Sequence, residues 1–362
     1  MQVINQLGQP LSNSTMQISH GFLIEILSNL DINARVLYDM CDGYHFVDQL
    51  LVDQHIDKID TMGVDLVVIS IADHPYDNAY VTEEQWWQRL TEIKTPVIVL
   101  HGVKTNHPLE IYCPSWAMLY PHRFDYQVAT EQQARNSDRD YIFSCLNNKI
   151  KVERLINLIE VYQRYQDNFI VTLNGTNTEW NSYSDSESQL NMIRKVIPSK
   201  DYDFLTEHIL NKLPITSPGC GFNGNCFDSI NPAYTNAYIN IVTEFSYHRA
   251  FISEKSIKPL VSGQFFLTVA APGVLDILEY LGIDTFKDII DHSVYEQLPV
   301  HVNPTKRLAA MHDCLQSMLN YDWKDLYEQT TTRRIANRNL IISNQIEKNF
   351  LKQLTDRIYE VL

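Results

Sequence analysis

Three charged turns hold the residue types best suited to chemistry. In "FISEKSIKPL" (251–260), Ser253 precedes an acid and a base, Glu254 and Lys255. Serine is a good N-cap, because its hydroxyl accepts an orphan backbone N–H. Glu254 suits the positive end of a helix dipole, whereas Lys255 is misplaced there unless an anion offsets it. N–H groups and a lysine at a helix start make a phosphate site, and the neighbouring carboxylate can accept from both vicinal hydroxyls of a ribose. The plainer alternative is a solvated first turn with a capping serine. In "SCLNNKIKVERLINLI" (144–159) a strand ends at Leu146, and Asn148 could hold a phosphate oxygen or the turn itself. Arg154, in the first turns of the next helix, offers a planar fork suited to a diphosphate, or lies on the surface of that helix. Lys149 and Lys151 add positive potential. In "INIVTEFSYHR" (239–249), Glu244 ends an apolar strand, where it would receive ribose or sugar hydroxyls or cap the following turn.

These turns need a scaffold, and the hydrophobic pattern supplies one. "MQISHGFLIEILSNL" (16–30) and "HFVDQLLVDQHIDKIDTMG" (45–63) have helical spacing, and "ARVLYDM" (34–40) reads as a strand between them. "VDLVVISIA" (64–72) and "TPVIVLHG" (95–102) are continuous apolar runs, as in strands buried on both faces of a parallel sheet. "TEEQWWQRLTEI" (82–93) opens as a capped helix. The rhythm restarts near 140 with strand "DYIFSCL" (140–146), helix "KVERLINLIEVYQRYQ" (151–166) and strand "NFIVTLNG" (168–175). "TNTEWNSYSDSESQ" (176–189) reads as an exposed loop, and 190–236 as less regular connections rich in Gly, Pro, Asn and Ser. Strand 237–245, helix 253–262, strand 264–271 and helix 274–282 follow. Beyond 304 the pattern is mostly helical, ending in one long helix over 334–361.

The expected fold class is α/β: two Rossmann-like doubly wound domains facing across a cleft, with a C-terminal helical tail. The expected boundaries are 1–138, 139–330 and 331–362. Open α/β sheets bind ligands beyond the carboxyl ends of their strands.

Composition narrows the classes. Of 362 residues, 44% are hydrophobic and 20% charged, enough apolar mass for two cores. No run approaches the roughly 18 apolar residues that span a bilayer. The N-terminus lacks the basic and apolar regions of a signal peptide, so a soluble, cytoplasmic protein is expected. With 44 acids against 29 bases the net charge is −15, which disfavours nonspecific binding to polyanions. Six cysteines are too sparse for a disulfide scaffold. Cys220 and Cys226 bracket "GFNGN" and could close it as a disulfide or form half of a metal site. With no second Cys/His pair at structural-zinc spacing, free thiols and no metal are expected.

Taken in order, strand–"SCLNN…R"–helix, strand–"VTE", and "ISEKSIKPLVSGQFFLTVAAPG" resemble the donor-binding half of GT-B glycosyltransferases. The likeness is greatest to the α-1,3-fucosyltransferase-like group and its bacterial and phage relatives, and covers about residues 140–310. Arg154 matches the arginine that holds the donor diphosphate, Glu254 the acid on the ribose, and Lys255 the phosphate lysine. Asn148 falls in the Asn-rich turn and Ser253 opens the Ser/Thr-Glu-Lys helix. Glu244 matches the strand-end acid of an "E-N" motif, although Phe245 replaces the Asn. "LEYLGIDTFKDIIDHSVYEQL" is similar to the tail of the phage-type relatives, with departures at Ile283, His292 and Glu296. Gln264-Phe265-Phe266 replaces a segment that usually contains proline.

The resemblance implies transfer of a hexosyl or pentosyl group from a nucleoside-diphosphate sugar to an acceptor hydroxyl, with inversion. Cations and helix N–H groups would stabilise the leaving group, with no metal and no cofactor besides the donor substrate. An acid of the first domain would then be the base. Asp73, in "ADHPYDN" after a buried strand, is the first candidate; Asp77, His74 and His101 compete, and turn chemistry alone also explains that loop. The expected partners are the nucleotide-sugar donor and an acceptor that is a glycan or, as in the phage-type relatives, a modified DNA base. Trp86, Trp87, Trp116 and Tyr120 are candidate stacking platforms, or else core. A protein that binds nucleotide sugars without transferring them is the alternative reading.

Overall fold

Apolar runs without polar interruption form strands here, because a strand covered on both faces has no wet side. The computed structural model describes residues 1–4, 24, 27–40, 57–71, 83–102, 104, 106–113, 129–147, 150–165, 169–173, 186–216, 232–244, 250–299 and 303–362. The first sheet contains β1 (Gln2–Ile4), β2 (Arg35–Met40), β3 (Leu66–Ile71), β4 (Val97–His101) and β5 (Glu110–Tyr112), all parallel. Its order is β1-β2-β3-β4-β5. Helix α1 (Asp57–Thr61) precedes β3 and α2 (Glu83–Leu90) precedes β4. Ile4, Leu37, Val67 and Val97 stand side by side across four strands and pack with Trp86, Trp87 and Leu90. The two indoles are therefore core rather than stacking platforms, at 1% and 7% exposure. Trp116 and Tyr120 lie outside the described residues.

The second sheet contains β6 (Tyr141–Asn147), β7 (Phe169–Leu173), β8 (Ala237–Thr243) and β9 (Phe265–Val269), again all parallel. Its order is β7-β6-β8-β9, so the winding reverses between β6 and β8. That reversal is the mark of a doubly wound sheet, and the crevice it opens beyond the carboxyl ends is where such sheets take ligands. The first sheet is parallel throughout, as expected, and among its described strands the order runs without a reversal.

Helix α3 (Glu131–Arg135) precedes β6, and α4 (Val152–Arg164) joins β6 to β7. Two helices stand where the sequence reads as loop and irregular connection: α5 (Ser186–Val196) and α6 (Ser199–His208). Their buried stripe is thin, chiefly Ile193, Ile197, Leu205 and Ile209, while Met192 and Val196 face solvent and blur the period. Then come α7 (Ala233–Asn236), α8 (Glu254–Val261), α9 (Val274–Tyr280), α10 (Ser293–Glu296), α11 (Pro304–Ser317), α12 (Trp323–Gln329) and α13 (Thr331–Ile342). Leu155, Leu158 and Ile159 of α4 share one core with Phe143, Phe265, Leu308, Met311 and Leu315. Each such side chain contributes about 1.5–3 kcal/mol by leaving water.

The chain divides into one unit of Met1–Leu119 with Ile346–Leu362 and another of Tyr120–Gln345. The division falls before α3, whereas the sequence rhythm restarts near 140. Arg334 explains why: its Nη1 donates to Ala134 O at 2.8 Å and to Gly263 O at 2.9 Å, while Arg338 reaches Ala129 O at 2.9 Å. The single helix expected over 334–361 is two, because Asn344 takes a left-handed φ of 58° between α13 and α14 (Gln345–Val361). Asparagine tolerates that conformation at a helix end. Arg357 of α14 donates to Pro108 O at 3.1 Å within the first unit. Among the described residues no helix is long and apolar enough to cross a membrane.

Buried arginines stitch the amino ends of the second sheet. Arg139 donates to Tyr234 O and Ala237 O at 3.0 and 2.7 Å and to Ser262 O at 3.1 Å. The guanidinium carbons of Arg334 and Arg139 stand 3.2 and 4.5 Å from the centroid of the Tyr327 ring. Tyr327 also donates its hydroxyl to Gly263 O. Gly263 is thus held in the left-handed region at φ +71°, where an added Cβ would stand 2.7 Å from Ala134 O. Gly282 shares the conformation, at φ +86°, but its added Cβ would meet only Leu340 Cδ2 at 3.5 Å. Gly282→Ala should therefore cost about 1–2 kcal/mol of backbone strain. Gly263→Ala should cost at least twice that, read as the larger drop in the unfolding midpoint of the second unit; equal drops would show that the close approach contributes nothing.

Candidate functional site

The candidate site is built at the carboxyl ends of β6 and β8, on the two sides of the reversal. Buried residues, apolar but for Asn240, carry β8 to Thr243, and Glu244 follows with its backbone N–H still on Val269 O of β9, at 3.0 Å. The Glu244 side chain turns inward and is fully buried. Its Oε1 accepts from Ser253 N at 3.1 Å and Ser256 Oγ at 2.5 Å, and its Oε2 accepts from Ser253 Oγ at 2.5 Å. The carboxylate therefore ties the strand end to the first turn of α8. Ser253 is the N-cap, as its residue type suggests, and its Oγ accepts from the Lys255 backbone N–H at 3.3 Å. Lys255 Nζ folds back to 3.4 Å from the same Oγ. Glu254 is the first residue of α8.

On the β6 side, Asn147 Oδ1 accepts from Thr243 Oγ1 at 2.7 Å, which locks the two strand ends together. Asn147 Nδ2 donates to Cys145 Sγ at 3.2 Å, and Asn157 of α4 donates to the same sulfur at 2.9 Å. Asn157 Oδ1 meets His312 Nε2 at 2.8 Å, and His312 Nδ1 meets the Tyr165 hydroxyl at 3.2 Å. A buried polar chain thus runs from the strand ends behind α4 to α11. Burial pushes the Cys145 thiol up to about 11, opposed by the Asn147 bond and then by the nearby Arg154 charge. Arg154, only 4% exposed, is no surface arginine, and its charge is near enough to act on the Cys145 thiol of β6.

A second carboxylate serves β9 in the same way. Glu296 accepts from Gly273 N at 2.8 Å, where Gly273 caps α9 at a left-handed φ of 91°. Next to it, His292 is held between the Tyr295 hydroxyl (2.6 Å) and Thr285 O (2.9 Å). Burial pushes the His292 imidazole down to about 4 and that of His312 to about 3.

Arg154, Glu244, Ser253 and Lys255 therefore lie in the second unit; hydrogen bonds join Glu244 to Ser253 and Ser253 to Lys255, and Thr243, next to Glu244, to Asn147. Asn148 lies outside the described residues, as do Asp73, His74 and Asp77. His101, the remaining candidate base, is buried at the end of β4 with its ring edge-on to Trp87 at 5.9 Å. Ser256, Asn147, Asn157, His312 and Glu296 went unnoticed as site-builders in the sequence. Only Ser256, one turn into a capped helix, had a local signal. Among the described residues no group of three or more His, Cys, Asp or Glu could hold a metal ion. Compared with known proteins, the chain matches no family model and no curated sequence.

The two histidines set a pH dependence. Their folded pKa values lie below the ordinary value of 6.5, so the unfolded chain binds more protons as pH falls. The stability they confer is complete above pH 6.5 and is lost as pH falls toward 4 and 3, on the order of 3 kcal/mol for His292 alone. Denaturant unfolding of the second unit should show this loss, and His312→Gln should flatten its slope between pH 6.5 and 4. An unchanged slope would mean that His312 is not buried neutral.

Proposed function

We propose that this chain is a glycosyltransferase that moves a sugar from a nucleoside diphosphate to an acceptor hydroxyl, inverting the anomeric centre without a metal. One observation carries the reading. The lysine of the Ser-Glu-Lys turn is held against its own helix N-terminus, beside the strand ends where the second sheet reverses. A cation there opposes the helix dipole, and an anion bound between them removes the conflict. Arg154, close to the end of β6, brings the second positive charge that a departing diphosphate needs. The GT-B arrangement of the two units belongs to the same proposal, with the first unit on the acceptor side and Asp73 as the base. The net charge of −15 favours a glycan over DNA as acceptor.

The test is a thermal-shift screen with UDP- and GDP-sugars, followed by detection of free nucleoside diphosphate. One donor should raise the melting point and be turned over. Binding with no turnover of any donor would favour a nucleotide-sugar-binding protein instead. Lys255→Ala should weaken that nucleotide at least tenfold, about 1.4 kcal/mol, with the ligand-free melting point unchanged. Asp73→Asn should lower turnover by ~10²-fold or more at unchanged donor affinity. Turnover that survives Asp73→Asn would place the base elsewhere.

A further inference from the structure

Glu244 carries an inference that rests on the nucleotide reading and sharpens it. A carboxylate has about four acceptor positions. Three of those on Glu244 are taken by Ser253 N, Ser253 Oγ and Ser256 Oγ, all in or next to the first turn of α8. The Ser253 hydroxyl has one hydrogen. Because Glu244 Oε2 takes that hydrogen at 2.5 Å, the lone pairs of Ser253 are left to face Lys255, whose N and Nζ stand 3.3 and 3.4 Å away. The carboxylate thus fixes the polarity of the serine, and the serine fixes the lysine. Glu244 is itself anchored by its backbone bond to Val269 O, and its neighbour Thr243 by the bond to Asn147. We infer that Glu244 is a positioning residue: its buried carboxylate sets the first turn of α8, and so Lys255, for the phosphates, and does not itself touch the ribose.

A ribose ligand and a positioning residue differ in what happens to a probe without ribose. Titration calorimetry on the whole protein with UDP, GDP and inorganic pyrophosphate separates them. Glu244→Ala should weaken the preferred nucleoside diphosphate and pyrophosphate by the same factor, at least tenfold. Glu244→Gln keeps the shape and one acceptor oxygen for Ser253 N and Ser256 Oγ but turns an N–H toward Ser253 Oγ. It should therefore recover only part of that loss, by the same factor for both probes. Ser256→Ala, which removes one hydroxyl from the clasp, should weaken both about threefold and serves if Glu244→Ala does not fold. Loss on the nucleoside diphosphate with pyrophosphate unchanged would put Glu244 on the ribose and overturn the inference. Unchanged affinity for both probes in folded Glu244→Ala or Ser256→Ala would overturn it too, as a purely structural role lowers the melting point alone. If the wild-type protein binds none of the three, the nucleotide reading itself fails, and the inference with it.

Discussion

Polar groups at the ends of a buried parallel sheet must find partners away from water, and an unpaired one costs about 1–3 kcal/mol. The second sheet meets this demand differently at its two ends. At the amino ends the partners are guanidiniums: Arg139 and Arg334 take the carbonyls of Ala134, Tyr234, Ala237, Ser262 and Gly263. Five donors on a rigid fork suit that task, since one side chain closes several carbonyls from different segments. At the carboxyl ends the partners are carboxylates and amides, with Glu244 on the start of α8 and Glu296 on the start of α9. The first arrangement seals an edge. The second fixes helix N-termini in place at the strand ends.

That asymmetry is why the proposed function places the chemistry at the carboxyl edge. The reversal between β6 and β8 opens the sheet on the side built from Glu244, Ser253 and Asn147, not on the side closed by arginines. The chain from Asn147 through Cys145 and Asn157 to His312 backs that side with satisfied polar groups, so the strand ends cannot shift without breaking bonds as far away as α11. A fully satisfied buried network of this kind rigidifies what it touches. Such a rigid edge would serve the proposed transfer, since charge stabilisation of a leaving group works best when the dipoles are already oriented.

Much of this fold is legible in the residues, for clear reasons. β3, β4, β8 and β9 follow from largely apolar runs, broken only by single polar residues such as Ser70, Asn240 and Thr268. α4 and α8 follow from their amphipathic period and, for α8, the serine cap. α5 and α6 are hidden because helices with so thin a buried stripe have almost the composition of a loop. The charged turns stand out by residue type, but their partners do not. Thr243 and Asn147 are 96 residues apart, and His312 and Asn157 are 155 apart, so no local pattern announces either bond. Glu244 is the instructive case. As a strand-end acid it reads either as a ligand for sugar hydroxyls or as a cap for the following turn, and the fold shows it on Ser253 and Ser256 of that turn.

The central claim is that the carboxyl edge at the β6–β8 reversal is the edge that takes the nucleotide. Hydrogen exchange of the whole protein, with and without a saturating nucleoside diphosphate, tests this most directly. Slower exchange at the first turn of α8 and the start of α4 is the predicted result. Protection confined to the arginine-stitched edge, at residues 129–139 and 331–338, would contradict it.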